Sequence, residues 1–527
     1  MTIITAKLPG KALCLTPLAL AALLVSAECR AEWKFSPSIG VSETYSDNPG
    51  LQRDEEAHGQ WISEAIPGFT LTTHSRRLRL SAMGEWHYYA YQDKNTPNLH
   101  DREGRYGANA EANLIEDFLL LDASASGSRQ AISAFGPRFT APYSTFNRTD
   151  VKTWSISPVV QHRFGSAAEV QLRLTRDSVT TDGDAAAAAF ADSRSTTGMF
   201  SVASPDPNSA FGWGLQYMRQ NLETDRYGGS TSVNASANLR YRLSRTWSAV
   251  ASVGHDSYEF TTLNSRNSGP SYAAGFVWTP SSRTSVDARL GHTFLGKTGS
   301  LAATQRTRRL ISRLTYTDQV TTSRAQFLLP ASIDTAAMLD QLFSSTISDP
   351  ILRAQAVQSY MASTGLPPSL ANNVNYLSNR YMRDKRLQAA FIYTLAHSTM
   401  SLSAYRSERT ALSLEQSDSE LLGSQFASLN DNVRQRGIDA SFSYRLSPRT
   451  AATATASAIR STSITTGIMT PSHYVSLGLT RQFERKARAS VELRHIHSGN
   501  GALSTTAASG PGSYTENALS ATLSVQF

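Results

Sequence analysis

Polar and apolar residues alternate with period two along most of this chain, the pattern of strands with one apolar and one wet face. Val233, Ala235, Ala237, Leu239 and Tyr241 alternate with Asn234, Ser236, Asn238 and Arg240. Val170, Leu172 and Leu174 alternate with Gln171, Arg173 and Thr175, and Val286, Ala288 and Leu290 with Asp287 and Arg289. The polar set is too hydrophilic for the inside of a packed sandwich. It suits a water-filled lumen, with the apolar set facing lipid. The connections alternate too. Short ones fall at 74–77, 115–117, 165–167, 205–210, 244–246, 279–283, 447–449 and 484–486. Longer polar ones fall at 46–59, 92–101, 130–148, 180–194, 222–230, 259–269, 296–306, 411–431 and 461–472. Membrane barrels have short periplasmic turns and long outer loops.

Parity then counts the strands. The chain enters from the periplasm at Trp33, so its first strand runs outward. The alternation brings residues 310–316 back to the periplasm, and 387–395 also run inward. One outward strand is needed between them, and residues 320–329 supply it. The expected fold is all-β: a transmembrane antiparallel β-barrel of about 22 strands (range roughly 20–22), spanning residues 32–527, with one helical insert in a long loop. The insert is 330–378, placed by the same parity on the extracellular side, or on the periplasmic side if the count is wrong by one strand. Asp349 is a good N-cap, Pro350 follows it, Ile351, Ala354 and Val357 share one face, and Gly365 with Pro367 ends the run. Met338, Leu339, Leu342 and Phe343 also have helical spacing. The insert is either a cap or plug that closes the pore or a helical hairpin packed on the rim.

Both termini bear on the compartment. Lys7 and Lys11 precede an apolar run from Leu13 to Val25, and Cys29-Arg30-Ala31 follows. That order predicts a signal peptide over residues 1–31, cut after Ala31. A lipidated Cys29 is the weaker reading, because Glu28 stands where a small residue is needed. Leu519, Ala521, Leu523, Val525 and Phe527 alternate to the end of the chain. A terminal aromatic on such a strand resembles the signal read by the barrel-assembly machinery, here carried by Leu523, Val525 and Phe527. Trp61, Trp86 with Tyr88, Trp154, Trp213, Trp247 and Trp278 are candidates for aromatic girdles at the lipid–water boundaries.

Composition narrows the classes. The 2 cysteines, Cys14 and Cys29, both lie in the signal segment. The processed chain therefore has no thiol for disulfides, zinc clusters or thiol chemistry. No later stretch approaches the run of about 18 apolar residues that a membrane helix needs. A formal charge of +8 is a modest excess on 527 residues, and no nucleic-acid motif accompanies it. The first strand begins almost at the cleavage site, which leaves no room for the N-terminal plug of a TonB-dependent transporter.

Candidate chemistry is sparse. Arg494-His495-Ile496-His497-Ser498-Gly499-Asn500-Gly501 is similar to the His-x-Ser-Asn-Gly stretch of outer-membrane deacylases and phospholipases. Here Ser498 adjoins His497 and so points to the opposite face, which leaves no activated nucleophile. Asp54-Glu55-Glu56 and Asp182-Gly183-Asp184 lack the ligand spacing of a calcium loop. No catalytic, cofactor or metal residue is assigned, and the chain is read as non-enzymatic. Alternation turns Arg105, Arg173, Arg240, Arg242, Arg289, Arg313, Arg445, Arg488 and Arg494 into the lumen. They either favour anionic solutes or brace the wall against acids such as Asp287 and Glu492.

Several blocks resemble the exosortase (PEP-CTERM system)-associated outer-membrane proteins. They are Phe35-Ser36-Pro37-Ser38-Ile39 through Glu43-Thr44-Tyr45-Ser46-Asp47-Asn48, Ile66-Pro67-Gly68-Phe69, and Leu119-Leu120-Leu121-Asp122-Ala123. Asp349-Pro350 with Arg353, Ser378-Asn379-Arg380 and Arg386-Leu387-Gln388 continue the likeness. The resemblance implies a setting of exopolysaccharide synthesis and export and of peptidase-sorted surface proteins, and it transfers no functional residue. The expectation is a porin-like channel or export barrel in the outer membrane of a Gram-negative bacterium, linked to exopolysaccharide secretion or exosortase sorting. The alternative is a non-transporting surface anchor or scaffold for the extracellular matrix. Expected partners are outer-membrane lipid and lipopolysaccharide, the barrel-assembly machinery, and an anionic exopolysaccharide with its periplasmic export proteins.

Overall fold

The computed structural model describes residues 32–136, 143–182, 190–206, 209–226, 228–259, 267–328, 338–339, 357, 376–413, 429–483, 486–499 and 513–527. The signal segment with its cleavage at Ala31 lies outside these residues, as does most of the 330–378 insert. Among the described residues, 22 strands form one antiparallel sheet. In chain order they begin with β1 Glu32–Ser46, β2 Gln60–His74, β3 Leu78–Tyr91, β4 Arg102–Ile115, β5 Leu119–Ala131, β6 Arg148–Phe164 and β7 Ala168–Asp182. Next come β8 Ser193–Ala203, β9 Phe211–Thr224, β10 Gly228–Arg242, β11 Trp247–Tyr258, β12 Ser268–Ser281, β13 Thr284–Thr293, β14 Gly296–Arg306 and β15 Leu310–Thr321. A short helix, α1 Ser323–Leu328, precedes β16 Met382–Thr394, β17 Ser398–Ala411 and β18 Asn432–Ser447. The chain ends with β19 Thr450–Ser463, β20 Met469–Gln482, β21 Ala487–Ser498 and β22 Tyr514–Gln526.

The sheet closes on itself. β1 pairs with β22 from Ser38↔Gln526 to Ser46↔Ala518, so no strand edge is left unpaired in lipid. Directly paired residues share a face, and the register therefore assigns every strand residue to one side. The outward set is apolar and exposed, and Leu290 is 78% exposed, tolerable only against acyl chains. Aromatics join this outer surface: Tyr45 lies 5.3 Å from Trp61, Phe69 5.9 Å from Trp86, and Trp247 5.7 Å from Trp278. The inward set is rich in hydroxyls that bond across strands. Ser42 meets Thr522 at 2.9 Å, Thr44 meets Ser520 at 2.8 Å, and Ser126 meets Thr153 at 2.7 Å. Each such pair satisfies polar groups within the wall itself.

Two elements differ from expectation. Residues 296–306, read as a loop, are β14, which pairs with β13 from Thr284↔Gln305 to Thr293↔Gly296. Its outward positions include Gly299, Leu301 and Ala303, too small a set to stand out as a lipid face. Residues 320–329, read as an outward strand, are not one. Val320 and Thr321 finish β15, whose register with β16 is continuous from Leu310↔Tyr393 to Thr321↔Met382. The hydroxyl of Thr322 then accepts the Ala325 N–H at 3.1 Å, capping α1. One missed strand and one misplaced strand cancel, so the count stands. The connections at 222–230 and 461–472 also shrink, to residues 225–227 and 464–468. Of the helical insert, Met338, Leu339 and Val357 are helical and buried, whereas Asp349 and Pro350 lie outside the described residues.

Candidate pore and its closed extracellular end

Both ends of the chain and ten connections, each of two to seven residues, lie on one rim, whereas every long connection lies on the other; in membrane barrels the short-turn rim is periplasmic. Register turns all nine sequence-selected arginines inward. Several are engaged. Arg105 Nε donates to Glu103 at 2.7 Å, and Arg173 Nη1 reaches Asp122 at 2.9 Å. Arg289 grips Asp287 through two bonds of 2.9 and 2.8 Å. Arg494 pairs at 3.1 Å with Glu516 rather than with Glu492. Arg445 donates to the Ala396 carbonyl at 3.2 Å, and Arg242 and Arg313 also have partners. Arg240 and Arg488 make no ion pair among the described residues.

These last two mark the basic recesses of the periplasmic half. One, of about 530 Å³, is lined by Arg445, Arg449, Lys486 and Arg488, with Glu85 opposed. Another, of about 860 Å³, holds Arg240, Arg242, Arg245 and Arg289. Four cations line each recess, beside Glu85 in the first and Glu169 in the second, and Asp287 neutralises Arg289.

Among the described residues, the extracellular half carries packed side chains inside the bore. α1 leaves β15 and reaches the inner wall of β7 and β8, where Arg324 forms an ion pair with Asp177 and donates to Ser193 Oγ at 2.8 Å. Both charged side chains are only 6% exposed. Two residues on, Gln326 bonds to Arg409 on β17 and donates to Asp384 on β16 at 3.5 Å. Seven strands separate β8 from β16, so α1 is a chord across the mouth. Phe327 and Leu328 pack on Val151, Val179, Phe190 and Leu377. Arg409, itself buried, lies 5.1 Å over the Tyr376 ring, and Tyr376 donates to the Asn430 carbonyl at 3.3 Å. The connection between β5 and β6 also folds in: Ala134 and Phe135 pack with Tyr376, Met382, Leu429 and Val433.

A second cluster pins that connection. Tyr143 donates to Glu516 at 2.7 Å, and Ser46 reaches the same carboxylate at 2.8 Å. Burial pushes the Tyr143 phenol up, and Glu516 adds to the shift. His100 Nδ1 donates to the Tyr143 carbonyl at 2.9 Å. Burial and then Arg129 push His100 down to about 4, against the upward pull of Glu103.

The residues of this closure were invisible in the sequence. Arg324 was hidden inside a supposed strand, while Asp177, Asp384 and Arg409 were detectable only as polar members of an alternating set. The histidine stretch assembles no nucleophile: Ser498 faces inward and meets Ser472 at 3.1 Å, whereas His497 faces outward and stacks on His473. Among the described residues no group of three or more His, Cys, Asp or Glu could hold a metal. Leu523 and Phe527 face outward at the periplasmic end, and the Phe527 N–H donates to the Pro37 carbonyl at 2.9 Å.

A closed antiparallel cylinder with a lipid-facing apolar belt and a polar bore is an outer-membrane β-barrel of a Gram-negative bacterium. No family model and no curated protein matches the chain. Among solved structures it is similar to the siderophore receptor PirA from Pseudomonas aeruginosa, at 10% identity and a TM-score of 0.45, over 94% of this chain and 80% of that one. The FrpB iron transporter from Neisseria meningitidis matches at 8% identity and 0.48, over 93% and 82%. The outer membrane protein opdK from P. aeruginosa matches at 11% and 0.34, over 94% and 99%. The resemblance to exosortase-associated proteins is corrected by these results, since no family model, that one included, matches the chain. The exopolysaccharide setting and its export partners fall with it.

Proposed function

We propose that this barrel is a gated channel for anionic solutes, open to the periplasm and held shut at its extracellular mouth. The observation that carries the reading is the α1 chord, a buried ionic latch between opposing walls, set above recesses lined by arginine. Removing one partner of this pair leaves the other buried and uncompensated, at a cost of about 3–5 kcal/mol, so the latch depends on both charges. The nine inward arginines are its pore-lining set, with Arg240 and Arg488 the strongest candidates for meeting solute. Planar-bilayer recording tests this. The native protein should be nearly silent, and Arg324→Ala should give frequent openings that prefer anions. If Arg324→Ala and Asp177→Asn both stay silent while folding normally, the barrel is better read as a non-transporting surface scaffold.

A further inference from the structure

The outer wall carries a second feature, independent of whether the pore opens. On β17, β18 and β19, Arg406, Arg436 and Arg460 are direct cross-strand partners on the outward face. All three are exposed, and none makes an ion pair among the described residues. Like charges placed opposite one another on a sheet destabilise it. The nearest acids do not relieve them: Glu408 is held by Arg434 at 3.0 Å and Asp318 by Arg383 at 2.7 Å.

The position of the row narrows its ligand. Each arginine stands a few residues from the extracellular end of its strand, and the wall below belongs to the lipid belt. The next outward row toward the periplasm is Ala404, Ile438 and Ala458, with His473 beside it. β19 is unusual there. Its outward side chains below Arg460 are Ala458, Ala456, Ala454 and Ala452. Neighbouring β18 presents Ile438, Ala440 and Phe442, so the groove widens at Ala456, and β20 presents Val475, Leu477 and Leu479. A strand of alanines between two bulkier strands is a groove one strand wide, leading down from the arginines. At its head lies a recess of about 460 Å³ lined by Arg406, Arg436, Arg460 and His473 above Ala404 and Ala458.

We infer that this surface binds one phosphorylated glycolipid of the outer leaflet, with its phosphates on the arginine row and an acyl chain in the alanine groove. Bidentate guanidinium–phosphate bonds supply the charge the row lacks. Three adjacent cations match a headgroup with more than one phosphate better than a singly charged phospholipid.

The test is co-purification and rebinding in detergent. Native protein should retain bisphosphorylated lipid A through exchange, read by native mass spectrometry, and added lipid A should raise its unfolding midpoint. The triple variant Arg406→Gln/Arg436→Gln/Arg460→Gln should bind at least tenfold more weakly. Ala456→Phe, which fills the groove without touching charge, should also weaken binding and covers the case in which the triple variant fails to assemble. Dephosphorylated lipid A should not bind, and inorganic phosphate should not displace the lipid. Equal retention by native and variant proteins, or equal affinity for phosphatidylglycerol, would overturn the assignment.

Discussion

His100 is a neutral side chain wedged among charges, with Arg129, Glu103 and Asp150 acting on it. Its pKa falls from 6.5 to about 4. A group depressed in the folded state binds fewer protons there than when released. Its support is therefore complete above pH 6.5 and is lost as pH falls toward 4. The tie at stake is the bond to Tyr143, which holds the connection between β5 and β6 inside the mouth. Protection of the Thr145 amide, now donated to the Asn98 carbonyl at 2.7 Å, should fall through that window once the intrinsic pH dependence of exchange is divided out. His100→Gln should flatten the response. A profile unchanged by the substitution would move the effect to another group.

At the level of single elements, β18 shows how tightly the inner wall is fitted. A Cβ built on Gly437 would lie 2.3 Å from the ring of Tyr405 on β17. Glycine ordinarily weakens a strand by about 0.5–1 kcal/mol relative to alanine. Here the overlap outweighs that, because a buried ring must shift, at a cost of about 1–3 kcal/mol. Gly437→Ala should therefore lower the unfolding midpoint in detergent, and Gly437→Ala with Tyr405→Leu should recover part of the loss. The same scale explains what the sequence could reveal. Strands such as β10 and β22 were legible because bulky outward residues alternate with polar inward ones. β14 was not, since glycine and alanine on its lipid face carry little hydrophobic contrast. α1 was not, because six residues make less than two turns, too few for a 3.6-residue period to declare itself. The latch was illegible for a deeper reason: Arg324 and Asp177 are 147 positions apart, and no local pattern links them.

For the molecule as a whole, polarity runs along the axis: arginine recesses at the periplasmic end, a packed mouth at the other. Charge reversal at Arg240 and Arg488 separates selectivity from bracing, since neither abandons an acid. In an Arg324→Ala background, Arg240→Glu with Arg488→Glu should cut the anion-to-cation permeability ratio by roughly tenfold, read from the reversal potential in a salt gradient. An unaltered ratio would mean that ions take a path away from these recesses. The α1 chord has one more consequence. Its anchor points are on the bore's own lining, beneath the rim, so a protease at the cell surface could trim exposed loops without uncorking the barrel. On the proposed gating, whatever releases the stopper arrives from beneath or strains the cylinder itself, and a cell carries many copies without becoming leaky to toxins outside.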